Sequence, residues 1–146
     1  LNEIKIRKFA IFKQRFFVYK LNLLYDENWL GSSICYKKYL KSPQWLRNKR
    51  FLRRGFLRKI FFKTQILDNG GWHFSFLKKP ENIVKKLKNY AHSEYKNLDN
   101  IEKLKDQIEN KIYFIEPGQK LKKINIDNSY PEYLQDNKKL YSEWIS

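Results

Sequence analysis

The stretch Gly70-Gly71-Trp72-His73-Phe74-Ser75-Phe76 predicts a strand entered through a glycine turn. Side chains alternate between the two faces of a strand. Trp72, Phe74 and Phe76 are therefore expected on one face, and His73 and Ser75 on the other. We expect the aromatic face to anchor the strand and the opposite face to present hydrogen-bonding groups.

The residues that follow this strand, from Pro80 to Tyr95, predict an amphipathic helix. Proline suits the first helical position, and apolar residues recur after it at spacings of three and four: Ile83, Val84, Leu87, Tyr90 and Ala91. One more turn along this apolar stripe reaches Glu94. Partial desolvation there would favour the protonated carboxyl, so Glu94 is a candidate general base. His92 lies roughly 200° around the same helix and is a weaker candidate.

Another helix start lies upstream, at Ser42-Pro43, where a hydroxyl cap precedes a proline. This helix is predicted to end at Gly55. Arg47 and Arg50 are three residues apart and share one face, so the two guanidinium groups could hold a diphosphate or a carboxylate. The alternative interpretation is a basic helix face in solvent.

The remaining segments complete an α/β pattern in a single domain over residues 1–146. We predict a strand from Arg15 to Leu24, a turn at Asp26-Glu27-Asn28 and a strand through Ile34 and Tyr36. Further on, the pattern predicts a helix over residues 99–110, short strands over 112–115 and 122–126, and a helical region after Tyr130-Pro131. The expected architecture is a mixed sheet flanked by helices.

The motif Gly-Trp-His-Phe-Ser-Phe, followed by a Pro-started helix ending in Ala91-His92-Ser93-Glu94-Tyr95, resembles glycosyltransferase family 17. This is the family of β-1,4-mannosyl-glycoprotein 4-β-N-acetylglucosaminyltransferases and their bacterial and viral relatives. Further pieces of the resemblance occur in order along nearly the whole chain: Tyr19-Lys20-Leu21-Asn22, Trp29-Leu30-Gly31-Ser32, Leu46-Arg47, Arg50, Tyr130-Pro131 and Asn137.

The resemblance implies a partial GT-A-like domain and an inverting transfer of a sugar, N-acetylglucosamine, from a nucleotide-sugar donor to a glycan hydroxyl. It also implies a divalent cation, Mn²⁺, usually held by an Asp-x-Asp motif that this chain lacks. We therefore expect the chain to be the C-terminal, acceptor-side portion, with the donor and metal half absent, and the fragment would be inactive without that half. The compartment would be cytoplasmic for a bacterial or viral protein, or the Golgi lumen for a eukaryotic one with an anchor upstream of Leu1.

Several residues acquire candidate roles from this resemblance. His73 is a candidate metal ligand or diphosphate contact, since a neutral imidazole suits Mn²⁺, and Ser75 lies on the same strand face. Trp29 and Trp72 are candidates for binding the acceptor, because an aromatic ring suits the C–H side of a pyranose. For His73 and Trp29 a purely structural role is the alternative.

Composition supports a second function class. The 146 residues carry a formal net charge of +16 and are 17% aromatic, and the single Cys35 has no partner for a disulfide. Between Lys37 and Lys63 lie eleven basic residues and no acidic one, interleaved with aromatic rings. Such a block favours an anionic partner, and the alternative function is a small basic protein that binds single-stranded nucleic acid. No apolar run is long enough to span a membrane.

Overall fold

The computed structural model describes residues 5–49, 65–89, 100–116 and 118–146. Within these ranges the chain is a mixed α/β protein with one five-stranded mixed sheet and four α-helices. The strands are β1 (Phe9–Val18), β2 (Leu23–Cys35), β3 (Gln65–Leu67), β4 (Trp72–Ser75) and β5 (Lys122–Lys123). The helices are α1 (Pro43–Asn48), α2 (Pro80–Lys88), α3 (Ile101–Glu109) and α4 (Glu132–Asp136), and short 3-10 helices span Lys37–Tyr39 and Ser142–Trp144.

The sheet has the strand order β3-β1-β2-β5, and β4 also pairs with β1. β3 runs parallel to β1, with Ala10 opposite Gln65, whereas β5 runs antiparallel to β2. β1 and β2 are joined by residues 19–22 alone, a connection that only antiparallel neighbours allow. The sheet is therefore mixed, as the sequence predicted.

Two sequence predictions about the first hairpin were wrong. The chain reverses within the predicted strand Arg15–Leu24, because Tyr19 adopts a φ of 66° immediately after β1. The predicted turn at residues 26–28 lies instead inside β2, which continues to Cys35. Polar residues are tolerated there because Asp26 is half-buried and Glu27 and Asn28 are exposed.

β3 and β4 follow one another along the same strand, β1. Arg15 N donates to Gly71 O at 3.0 Å, and further along Tyr19 N donates to Ser75 O at 3.1 Å, so both strands advance in the same direction. Gly70 N donates to Lys13 O at 2.8 Å between them. A Cβ on Gly70 would lie 2.6 Å from Phe12 Cβ, so only glycine fits this close approach.

The chain divides into two compact units, and β1 and β2 each pass through both. The first unit comprises residues 1–15 and 27–72, and the second comprises residues 16–26 and 73–146. In the first unit, Ala10 and Ile11 are fully buried. The core of the second unit consists of large side chains with almost no exposed surface: Phe17, Val18, Tyr19, Leu23, Ile83 and Phe114.

The helices begin where local sequence signals predicted. Ser42 Oγ accepts a hydrogen bond from Trp45 N at 3.0 Å, and Pro43 occupies the first turn of α1. α2 begins at Pro80 and buries Ile83, Val84 and Leu87, which confirms the first part of its predicted stripe. Asn100 caps α3 in the same manner, and α2 packs against α3. α1 ends at Asn48 and α2 at Lys88, before the predicted ends at Gly55 and Tyr95, which lie outside the described residues.

The two short strands predicted near the C-terminus are reduced in the structure. Residues 112–115 contribute only an isolated bridge from Ile112 to Lys120, and the second strand is the two-residue β5. The pairing is short because Phe114 N donates to the Tyr19 hydroxyl at 3.0 Å instead of to a neighbouring strand. Among the described helices, none has the length and apolarity to cross a membrane.

Candidate functional site

The centre of the candidate site is β4, whose side chains pack on both faces of β1. Phe16 and Phe17 are adjacent in β1 and so point to opposite faces. Phe74 stacks on Phe17 with ring centroids 5.3 Å apart, and His73 meets the ring of Phe16 edge-on at 4.7 Å. The predicted alternation of His73 and Phe74 is therefore confirmed. Phe76 is an exception, because β4 ends at Ser75 and Phe76 has a φ of 55°.

The His73 face is more apolar than the sequence predicted. Phe16 also contacts Tyr25 and Tyr113, at 5.2 Å and 6.4 Å between ring centroids, and those two tyrosines lie 4.7 Å apart. The half-buried His73 imidazole thus joins a cluster of aromatic rings. We call these four residues, His73, Phe16, Tyr25 and Tyr113, the His73 cluster.

This environment sets the protonation state of His73. Burial lowers the pKa of the imidazole, and the positive charge of Lys86 lowers it further. The ring is consequently neutral at pH 7, so one nitrogen carries a proton and the other a lone pair. Lys86 lies on α2, and its ammonium is 4.8 Å from the ring centroid of Phe76.

Tyr25 supplies a second perturbed group in the same cluster. Burial raises the pKa of Tyr25 to about 12, and a hydrogen bond to the Glu116 carboxylate and the negative charges of Glu116 and Asp26 act in the same direction. The phenol is therefore a persistent hydrogen-bond donor at neutral pH. The cluster combines a neutral imidazole, a protonated phenol and a nearby ammonium group.

The other predicted site residues fall into three groups. Ser75 lies in the second unit with His73, and its backbone oxygen accepts the hydrogen bond from Tyr19 N. Trp72, Trp29 and Arg47 belong to the first unit. Arg50, His92 and Glu94 lie outside the described residues.

Trp29 and Arg47 both have local partners. The Trp29 ring lies over Gly31, where a Cβ would fall within the indole. Arg47 is exposed, and its Nη1 donates to Gln44 Oε1 at 2.8 Å. That bond keeps one guanidinium nitrogen on the surface of α1.

The fit of a metal can be judged from the donor set. Within the four described ranges, no three His, Cys, Asp or Glu side chains are grouped so that they would hold a cation. His73 alone provides one nitrogen ligand. A complete cation site would therefore need ligands beyond the described residues.

A basic and aromatic surface occurs in the first unit. The ammonium groups of Lys8 and Lys38 lie 5.7 Å and 5.1 Å from the ring centroid of Tyr39. Lys49 Nζ lies 4.5 Å from the Trp45 ring, which packs edge-on against Phe9. We call Lys8, Lys38, Lys49, Tyr39 and Trp45 the basic aromatic surface.

Sequence reasoning missed Tyr25, Tyr113, Lys86 and Glu116 as members of the site. These residues come from three separate parts of the chain, because Tyr113 and Glu116 share one segment, and none lies in a motif that marks it. Lys86 is the one that a local signal indicates, because it lies on the predicted helix after β4. Comparison with known proteins gives no relative: no family model, no curated protein and no solved structure matches this chain.

Proposed function

We propose that this chain is the acceptor-side portion of an inverting glycosyltransferase resembling family 17, with a GT-A-like fold. It would transfer a sugar, N-acetylglucosamine, from a nucleotide-sugar donor to a glycan hydroxyl. The observation that carries the proposal is the state of His73. The motif Gly-Trp-His-Phe-Ser that underlies the resemblance forms a strand, and its histidine is a neutral imidazole with the positive charge of Lys86 close by.

A neutral imidazole beside an ammonium group suits a leaving diphosphate. The imidazole N–H donates a hydrogen bond to a phosphate oxygen, and the ammonium offsets the negative charge that grows as the bond from the sugar to the diphosphate breaks. Ser75, Arg47 and Arg50 are proposed as further contacts to the donor. In the same step, the acceptor oxygen forms a bond to the anomeric carbon from the opposite side, which inverts the configuration.

The acceptor hydroxyl loses its proton in this reaction, and Glu94 is the proposed base, with His92 as the weaker candidate. Trp29 and Trp72 are proposed to hold the acceptor sugar by stacking. Mn²⁺ would offset charge on the diphosphate when bound, and His73 is the described residue that would give it a ligand. Each of these roles can be tested by substituting the residue.

The experiment that tests the proposal is a thermal-shift titration with uridine diphosphate sugars, with and without Mn²⁺. A ligand that binds only the folded state raises Tm by mass action. We expect a rise in the natural chain, and a loss of that rise in His73→Ala and Lys86→Gln. Lys123→Gln, an exposed position on β5, is the matched control and should retain it. No rise at saturating ligand, with the protein folded by circular dichroism, would contradict donor binding by this chain.

A second candidate function is binding of single-stranded nucleic acid. The basic aromatic surface favours it, because ammonium groups placed over aromatic rings combine phosphate contacts with platforms for base stacking. Affinity for RNA would fall steeply with salt. Binding of a nucleotide sugar would instead depend on the base.

A further inference from the structure

A cavity in the second unit is lined by residues that do not belong to the His73 cluster. Its volume is about 390 Å³, which is within the range of small-ligand sites. Lining residues come from the turn after β1, from the start of α2, from α3 and from the last 3-10 helix. The sequence motifs do not predict a role for this cavity.

The aromatic wall of the cavity is Trp144, and its backbone is fixed. Trp144 O accepts a hydrogen bond from Leu21 N at 2.8 Å, and Trp144 N donates to Tyr141 O at 2.9 Å. The indole is half-buried, and Lys20 Nζ lies 6.0 Å from its ring centroid. Because the backbone that carries it is held in this way, the indole offers a stacking surface at a lower ordering cost.

The rim of the cavity places donors beside acceptors. Lys79 Nζ and Glu143 Oε1 are 3.2 Å apart, and both side chains are more than half exposed. Lys20 Nζ donates to the backbone oxygen of Glu143 at 2.6 Å, which fixes the position of that residue. A sugar hydroxyl both donates and accepts, so neighbouring hydroxyls match an ammonium group and a carboxylate side by side.

The charge of the lining argues for a neutral ligand. Three lysines, Lys20, Lys78 and Lys79, are accompanied by Glu81 and Glu143. In a chain of net charge +16, this is a nearly balanced region. A phosphate group would meet carboxylates as well as ammonium groups and would gain little from them.

The backbone next to the cavity is strained and well held. Tyr19 has a φ of 66°, which is costly for a residue with a Cβ. Its hydroxyl donates to Ile112 O at 3.2 Å and accepts from Phe114 N at 3.0 Å, so surrounding structure maintains the conformation. Strain of this kind is concentrated at ligand sites.

We infer that this cavity is a saccharide-binding subsite, in which a pyranose ring stacks on Trp144 and its hydroxyl groups bond to Lys79 and Glu143. The inference rests on the proposed function for its ligand class, since a glycan acceptor longer than one sugar needs a second subsite. Lys20 is a positioning residue, because it acts through Glu143. The expected affinity is weak, with a Kd on the order of 1 mM for a disaccharide.

Fluorine NMR of the full chain labelled with 5-fluorotryptophan tests this inference. The four tryptophans give four resonances, and the one lost in Trp144→Phe identifies Trp144. The probes are mannobiose, chitobiose, lactose and cellobiose, each without any nucleotide sugar. At least one of them should shift the Trp144 resonance with a saturating curve, and Lys79→Gln and Glu143→Gln should each weaken binding by about fivefold, the loss expected for one hydrogen bond. Lys123→Gln should bind as the natural chain does.

Three results would overturn the inference. The first is a Trp144 resonance that stays unmoved by all four probes in the folded protein. The second is a shift confined to other tryptophans. The third is an equal shift of Trp144 with inorganic phosphate, which would make the cavity an anion site. A thermal shift with nucleotide sugar in the absence of a saccharide response would reject this subsite and leave the proposed function standing. A saccharide response without a thermal shift would leave the subsite standing and contradict donor binding by this chain.

Discussion

His73 is the residue whose environment has the clearest consequence in solution. Its pKa lies below the ordinary value in the folded chain, because burial and Lys86 both disfavour the imidazolium. The unfolded chain therefore binds this proton more readily than the folded chain does. The contribution of His73 to stability is complete above the unfolded pKa of about 6.5 and is lost as the pH falls from there toward the folded pKa.

We expect His73→Gln to flatten this pH dependence, because glutamine has no proton to bind over the range. The measurement is the free energy of unfolding by urea at several pH values between about 7.5 and about 5, in both proteins. His92, the only other histidine, is present in both and cancels from the difference. Parallel curves for the two proteins would show that His73 is not desolvated.

The sequence predicted the two faces of β4 but not which residues surround His73. Alternation along a strand is local, so Phe74 and His73 were placed correctly on opposite sides. The contacts of His73 with the ring of Phe16, and through it with Tyr113, depend on residues far apart in the chain. Local spacing does not predict contacts between residues so far apart in the chain. The face that was expected to be polar is therefore aromatic in the structure.

At the scale of elements, Asn22 connects the turn after β1 to the last residues of the sequence. Its side chain donates to Ile124 O at 3.1 Å and to Ser146 O at 3.2 Å, and it accepts from Ser146 N at 2.8 Å. Only 2% of the residue is exposed. These bonds hold the segment that carries Trp144 against the turn.

We expect Asn22→Ala to lower the free energy of unfolding by about 1–3 kcal/mol, since it leaves buried backbone groups without partners. The same variant should broaden the fluorine resonance of Trp144. Asn110→Ala is the matched control: Asn110 also makes two side-chain hydrogen bonds, to Asp106, but it is exposed, so water replaces them. Equal destabilisation by the two variants would refute a specific role for Asn22.

Element starts were predictable where the signal is local, and element partners were not. Ser42-Pro43 and Pro80 marked their helices correctly, because capping and the fixed φ of proline act within one turn. The predicted turn at residues 26–28 failed because pairing with β1 extends β2 through polar residues. The parallel pairing of β3 and β4 with β1 could not be predicted from the sequence either. Its only local signal is Gly70, whose missing Cβ allows the close approach to β1.

Charge is distributed unevenly along the sequence, and this distribution distinguishes the two candidate functions. No acidic residue occurs between Glu27 and Asp68, and the basic aromatic surface lies mostly in that segment. Single-stranded RNA bound there would release counterions from each phosphate that meets a lysine. A nucleotide sugar carries only a diphosphate and would depend far less on the general charge.

We expect the triple variant Lys8→Gln, Lys38→Gln, Lys49→Gln to bind poly(U) more weakly and to lower the slope of log affinity against log salt by about 2, given roughly 0.7 per phosphate contact on a single strand. The control triple Lys103→Gln, Lys122→Gln, Lys123→Gln removes the same charge from exposed positions of the second unit. A larger effect of the first triple would locate RNA binding at the basic aromatic surface. Equal effects would mean that the charge of +16 attracts RNA without a site. If both triples also retain the thermal shift with uridine diphosphate sugars, binding of the sugar nucleotide does not depend on these six lysines.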